Sequence, residues 1–309
     1  MEYPTPHYEK LKALFENDKL PNYDKERIDN AITMYKQWRN RCLSLSMDEK
    51  NVGKLLQGLV DNLNQYKNYI DICLIFDSEQ DFLYRQKGQL KLDNTIIEEF
   101  LPFLINDILI PQINSIDITI GPMSTFSSAY FVSTLKLRTQ GGGLSIRTKN
   151  QDFAISRRLY LKTSHSPDFP PSDSAIQNTY IAYVAAECKT NLDKTMFQEA
   201  CTTAHDIKTA VSGAKYFLLI EWLDMTPLST TATDIDEVIL LRKAKRLNSN
   251  IRQYYALSKH RKEKRNEYVS YIENNPFRLE SFERFLSHIR ELLDNDTPNE
   301  HNVLDMGYF

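Results

Sequence analysis

Glu187 and Lys189 flank Cys188 at the end of an apolar run, Tyr180-Ile-Ala-Tyr-Val-Ala-Ala186. Side chains of a strand alternate between faces, so residues two apart share a side. A carboxylate and an ammonium therefore leave one face together, while Cys188 turns to the other. Holding such a pair at the end of a buried strand is costly and has few structural uses. Metal-assisted hydrolysis of a phosphodiester needs it. The carboxylate holds the cation, and the lysine neutralises the attacking hydroxide or the charge developing on phosphorus.

This chemistry calls for a second acid, because magnesium prefers octahedral oxygen ligands and usually takes one or two carboxylates. Asp152, Asp168 and Asp173 compete for the role. If residues 153–161 and 180–186 pair as an antiparallel hairpin, the start of the first lies beside the end of the second. Asp152 then converges with Glu187. Asp168 and Asp173 fall in the connecting loop at the opposite end, about 20 Å away at the usual rise per residue. Topology favours Asp152, and Asp168 stays open as the alternative, although the Ser-Pro-Asp around it reads better as a turn.

The elements that must position these groups change along the chain. The first third is helical in pattern: Ile28, Ile32, Tyr35 and Cys42 recur at helical spacing, with Trp38 alongside. Asp48 is placed to cap a helix carrying Val52, Leu55, Leu56, Leu59 and Leu63. Asp93-Asn94 is placed to cap another, which Pro102 must distort or end. From about residue 114 strands take over. Residues 116–120 alternate and stop at Gly121-Pro122, 130–137 are β-rich but could also be helical, and 144–147 resume after Gly141-Gly-Gly143. Residues 163–178 form a Ser/Pro/Asp loop, 192–212 a helix capped by Asp193, and 215–222 a strand buried on both faces. Leu240, Ala244, Leu247, Ile251 and Tyr254 predict a further helix with a short packing seam, and residues beyond Asn295 read as frayed.

The order implies an α/β fold, a mixed central sheet flanked by helices. It divides into a helical region 1–92 for recognition or dimer contacts, a catalytic core 93–240, and a basic helical region 241–309.

Lys and Arg number 38 against 41 Asp and Glu, a net charge of -3, so overall charge points to no nucleic-acid partner. Local clustering does. Between positions 242 and 265 stand Arg242, Lys243, Lys245, Arg246, Arg252, Lys259, Arg261, Lys262, Lys264 and Arg265 against the single acid Glu263. Phosphates neutralised by such a stretch would release counterions, giving salt-dependent binding of duplex DNA. We take Arg246, Arg252, Arg261, Lys262 and Lys264 from it as contacts, with Lys136, Arg138, Arg147 and Lys149 flanking the glycines as a second cluster. Glycines there would let backbone approach a phosphate, or simply form a hairpin tip.

Cys42, Cys73, Cys188 and Cys201 lie far apart without zinc-ligand spacing and read as reduced thiols. The Met-Glu-Tyr-Pro start lacks the pattern of a signal peptide, and no apolar run could span a bilayer. A cytoplasmic protein with no membrane partner is the expectation. No histidine pairing, nucleophile elbow or Walker loop supports covalent catalysis or nucleotide hydrolysis, and His205 reads as a surface residue.

The acid followed by Glu187-Cys188-Lys189 resembles the PD-(D/E)xK nucleases. The wider stretches Ala186-Glu-Cys-Lys-Thr-Asn-Leu-Asp-Lys-Thr-Met-Phe-Gln-Glu-Ala200, Tyr216-Phe-Leu-Leu-Ile-Glu-Trp222 and Gln86-Lys-Gly-Gln-Leu-Lys-Leu-Asp-Asn-Thr-Ile-Ile-Glu-Glu-Phe100 resemble a type II restriction endonuclease subunit, of the heterodimeric kind that cuts the asymmetric site CCTNAGC. Gln151 departs from that pattern, standing where the family has proline, whereas Pro167-Asp168 is its literal dipeptide. The resemblance implies Mg2+ held by Asp152, Glu187 and the carbonyl of Cys188, with Lys189 polarising a water. It also implies double-stranded DNA as substrate and a second endonuclease subunit as partner, a distinct one favoured over an identical one. Glu98 or Glu99 could add a further acid, although an exposed first-turn glutamate is the better reading. Gln198 could face the site or solvent.

Two other classes compete: a repair nuclease without site preference, and a non-catalytic DNA-binding or protein-interaction module on the same core.

Overall fold

Apolar residues at helical spacing build the amino-terminal third. In the computed structural model, which describes residues 3–295 and 300–307, α1 spans Pro6–Phe15, α2 Asn22–Asp48 and α3 Val52–Asn68. Ile28, Ala31, Tyr35, Trp38 and Cys42 form the buried stripe of α2. Asp48 ends α2 and does not cap α3. Asn51 does, its side chain accepting from the Lys54 N–H. The helix continues past Asn68 as a π-helical segment, Tyr69–Phe76, followed by α4, Phe82–Gln86.

The next helix, α5, covers only Thr95–Phe100 and passes into a tight turn at Leu101–Leu104. Pro102 sits at that junction, where its missing N–H can no longer serve an α-helix. Asn94 precedes α5, but its side chain makes no capping bond. It is used elsewhere.

Five strands form one sheet in the order β1-β2-β3-β4-β5. They are β1 Thr119–Phe131, β2 Leu144–Ser164, β3 Ser174–Asn191, β4 Lys215–Trp222 and β5 Glu237–Leu240. The first three are antiparallel, and β4 and β5 add in parallel, so the sheet is mixed as expected. Strand lengths differ from the sequence reading. β1 runs through Gly121-Pro122, where a register shift accommodates the proline. The two strands read at 144–147 and 153–161 are one strand, β2, so Asp152 lies within it and does not begin it. The expected strand at 130–137 ends at Phe131.

Helix α6, Lys194–Ala210, begins at Asp193, which accepts from the Met196 N–H as predicted. No helix runs from Leu240 to Tyr254. The chain there closes β5, and the N–H of Leu241 bonds the Ile220 carbonyl. Lys245 then bridges to Leu223, and α7 starts only at Ser249–Tyr254. Sheet hydrogen bonding outcompetes the helical spacing. The remaining helices are α8 Ser258–Glu263, α9 Arg265–Asn274, α10 Leu279–Asn295 and α11 Glu300–Met306. Of the tail read as frayed, Glu300–Met306 is helical, whereas 296–299 and 308–309 lie outside the described residues.

Each sheet face has its own core. One carries Phe153, Val184, Ala186, Cys188, Phe217 and Leu219, and packs continuously with the amino-terminal helices and α10. The other carries Ala185, Tyr216, Leu218 and Ile220 beneath Phe197, Ala200, Ala204 and Ile207 of α6. No described helix is long and apolar enough to cross a membrane.

Candidate active site

Register does the first positioning. Phe153 pairs with Ala186 across β2 and β3, so Asp152, one residue earlier, falls opposite Glu187. Asp152 Oδ2 accepts a hydrogen bond of 2.9 Å from the Cys188 N–H. Lys189 Nζ lies 2.7 Å from Glu187 Oε1. Strand alternation thus places carboxylate and ammonium side by side, and Cys188 is fully buried on the opposite face.

Two groups that the sequence reading did not assign, Tyr216 and Asn94, complete the surroundings, and Glu98, one of its two candidate further acids, joins them. Tyr216 on β4 donates to Glu187 Oε2 at 3.1 Å, fixing the second oxygen of that carboxylate. Asn94, freed from capping, donates 2.8 Å to the Cys188 carbonyl and 3.2 Å to Glu98 Oε1. Its own Oδ1 is buried without a partner. Glu98 is buried, not the exposed first-turn glutamate expected. Burial first, and the Asp152 charge second, push its carboxyl up to about 7. Burial likewise raises Asp152, against the opposing pull of the Cys188 N–H, Lys91 and Lys189. Burial would lower Lys189, but the Glu187 carboxylate more than offsets it and the ammonium is held above its ordinary range.

Glu99 faces away and braces the amino-terminal helices, accepting from the His7 N–H at 3.0 Å, from Arg39 at 2.7 Å and from Tyr35. The other acids are elsewhere. Asp173 pairs with Arg138 at 2.9 Å, at the far turn of the β2–β3 hairpin, and Asp168 is exposed on the same turn. Gln151 is buried, with its Nε2 unpartnered. Gln198 is exposed on α6, and His205 is a surface residue paired with Asp234 at 2.8 Å.

The donor set suits a hard divalent cation. Asp152, Glu187 and the second lone pair of the Cys188 carbonyl are all oxygen, and Glu98 stands next to them. Among the described residues no group of three His, Cys, Asp or Glu side chains is placed to hold a metal ion. Magnesium needs none, since it keeps several waters and one or two carboxylates. The four cysteines are unpaired.

The basic stretch divides sharply. Arg261 is 1 % exposed and donates to the carbonyls of Phe76, Tyr255, Ser78 and Gln80 at 2.8–2.9 Å, so the expectation that it meets DNA is corrected. The carbonyls of Phe76, Ser78 and Gln80 belong to the segment after α3, that of Tyr255 follows α7, and together they take a buried fork of donors. Arg242 is buried between Glu221 at 2.8 Å and Asp71 at 3.3 Å. Arg246 and Arg252 share Asp224, Lys264 pairs with Glu267, and Lys149 pairs with Asp206. Lys136, Arg147 and Lys262 are exposed. Gly141, at φ +55°, packs against Ala175, which a Cβ would approach to 2.5 Å, and its N–H bonds the Asp173 carbonyl. It is a filled turn, not an open phosphate cradle.

With the geometry in place, comparison with known proteins is informative. The family model described as Bpu10I restriction endonuclease matches residues 89–309, a span holding every side chain of the site above. Among solved structures, a chain of the "native BbvCI A2B2 tetramer at low resolution" superposes with a TM-score of 0.53. It is 19% identical, and the match covers 88% of this chain and 98% of that one, a likeness of fold. No curated protein matches.

Proposed function

Because the chain belongs to the Bpu10I restriction endonuclease family, we propose that it is one subunit of a type II enzyme that hydrolyses DNA phosphodiesters with Mg2+, cutting one strand per active site. The observation that carries this reading is the placing of Asp152 across the sheet from Glu187-Cys188-Lys189. Asp152, Glu187 and the Cys188 carbonyl would hold the cation, which when bound supplies Lewis-acid stabilisation of phosphoryl charge. Tyr216 steadies one oxygen of Glu187 while Lys189 holds the other. Lys189 then orients the attacking water and keeps its ammonium charged next to the phosphate. Asn94 aligns the Cys188 carbonyl and spaces Glu98 from it.

Digestion of a plasmid of known sequence tests this, with calcium replacing magnesium to separate binding from cutting. Discrete fragments are expected, with CCTNAGC the first site to map. A smear would favour a repair nuclease, and binding without cutting would favour a non-catalytic protein. The second subunit is inferred as distinct, in keeping with the A2B2 composition of the structural neighbour. A band of exposed apolar side chains, including Phe131, Val132, Leu135 and Leu137, offers a surface for it, and the amino-terminal helices offer another for recognition or dimer contacts. Co-purification of a second endonuclease chain from the source cells, in whose cytoplasm we place the enzyme, checks this.

DNA contact falls to the exposed cations. Replacing Lys136, Arg147 and Lys262 by alanine should weaken duplex binding and reduce the salt slope by about one for each phosphate no longer neutralised. A slope unchanged in the triple variant would remove these residues from the interface.

A pH dependence follows from Glu98. Its folded pKa, about 7, lies above the ordinary 4.5, so its contribution to stability is full below 4.5 and lost as pH rises through 7. A divalent cation should relieve that loss. Calcium is expected to raise the melting temperature more at about pH 8 than at about pH 5.5. Glu98→Gln should flatten the difference, and equal shifts at both pH values would refute the placement of Glu98 beside the cation.

A further inference from the structure

A cavity of about 350 Å3 opens beside the active site without being part of it. Thr190, one residue after Lys189, lines it, and so does Asp93, one residue before Asn94. Consecutive Cα atoms are about 3.8 Å apart, so the two sites share walls. Its volume falls within the roughly 300–1,000 Å3 of small-ligand pockets.

The interior is built and incomplete. Asp93 Oδ1 and Glu221 Oε2 are buried without hydrogen-bond partners, on side chains only 4 % and 1 % exposed. Unpartnered acceptors at such depth are costly and ask for a donor. That donor is not a second metal ion. Lys67 and Arg242 already stand over the other Glu221 oxygen at 3.0 and 2.8 Å, and they would repel a cation. A neutral N–H donor satisfies both acids without adding charge. Tyr84, Trp222 and Tyr271 supply apolar walls. Tyr271 stacks on Trp222 with ring centroids 4.9 Å apart, and the Arg242 guanidinium lies 4.6 Å from the Trp222 centroid. Towards solvent the lining turns basic. Lys87 rests over Tyr84 with its ammonium 4.9 Å from the ring centroid, and the Arg252 side chain, a third exposed, lies 3.6 Å from Asp224, a carboxylate it shares with Arg246.

Donors wanted inside and an anion wanted at the rim describe one ligand class. We propose that this cavity is a nucleotide pocket, taking a base with an exocyclic amine turned toward Asp93 and Glu221 and its phosphate at Lys87 and Arg252. The choice of a nucleotide among amine-plus-anion ligands rests on the endonuclease reading. Thymine, which has no amine, is the base the pocket discriminates against.

Calorimetric titration of the whole chain with dAMP, dCMP, dGMP and dTMP, without divalent cation, tests this. The amine-bearing monophosphates should bind saturably and dTMP at least about tenfold more weakly. Lys189→Ala should leave those affinities unchanged, which separates the pocket from the active site. Asp93→Ala should erase the preference, and Lys87→Ala should weaken monophosphates but not the corresponding nucleosides. If Asp93→Ala does not fold by circular dichroism, the Lys87→Ala contrast decides. No saturable binding, equal binding of all four, or weakening in Lys189→Ala but not in Asp93→Ala or Lys87→Ala would overturn the proposal. Competition by duplex DNA in calcium would identify the occupant as a base turned out of the helix, and its absence a free nucleotide. Since cutting is not measured, a failure here leaves the nuclease reading standing, and the reverse also holds.

Discussion

Alanine at Lys189 is expected to lower the cleavage rate by about a hundredfold to a thousandfold, with duplex binding in calcium little changed. Lys189 Nζ lies 2.7 Å from Glu187, and that carboxylate keeps it charged despite its partial burial. The charge is therefore available where negative charge grows on the phosphoryl group. Glu187→Ala and Asp152→Ala should fall by at least as much, because each removes a candidate cation ligand. The three effects should not add, since the groups act as a unit. Arginine at 189 is a poor rescue, as its planar fork does not reproduce a compact ammonium. Asp168→Ala should cut normally, because Asp168 is exposed on the far hairpin turn. Normal cutting by Asp152→Ala together with inactive Asp168→Ala would reverse the assignment.

Lys67→Met should destabilise the fold by about 3–5 kcal/mol, the usual result of stranding buried charge. Lys67 is 1 % exposed and lies 2.6 Å from Asp71 and 3.0 Å from Glu221, with Arg242 completing the group. Removing it leaves two carboxylates facing one guanidinium. Burial favours neutral Glu221, but Lys67 and Arg242 prevail and hold its pKa below 4.5. Its stabilisation is thus present above 4.5 and lost only as pH falls through the depressed value. Burial would likewise lower Lys67, but Asp71 and Glu221 hold it above 10.5, so its contribution is full throughout the neutral range. Guanidinium denaturation of the variant should show a lower midpoint with an unchanged slope. A destabilisation under about 1 kcal/mol would mean that the cluster is wetter than its burial indicates.

Much of the site was legible in the amino-acid order. Glu187 and Lys189 share a strand face because strands alternate, and Asp152 meets them because the antiparallel register of β2 on β3 sets it opposite Glu187, although it lies within β2 and not at its start. The role of Asn94 was not legible, and Glu98 was named only as one of two candidate further acids and read as exposed. A short helix shows which residues lie on one face, but not what that face packs against. The signal was an N-cap residue followed four positions later by an acid, which reads equally as a surface helix start. Tyr216 was hidden in an apolar run, where its ring reads as core and its hydroxyl goes unnoticed.

Within the basic stretch, Arg261 is the clear miss. Counting charges found ten Lys and Arg between positions 242 and 265, but counting cannot say which have partners distant in sequence. Arg261 answers carbonyls near residue 78, and Arg242 answers Asp71 and Glu221.

Sequence by itself determined the strand periodicity, the pairing of Asp152 with Glu187 and Lys189, and the α/β class, because these follow from local geometry and hairpin connectivity. Tertiary structure alone decided which charges are buried and which acids are neighbours. Desolvation and long-range pairing depend on what the rest of the chain brings within a few ångströms, and no local pattern carries that information.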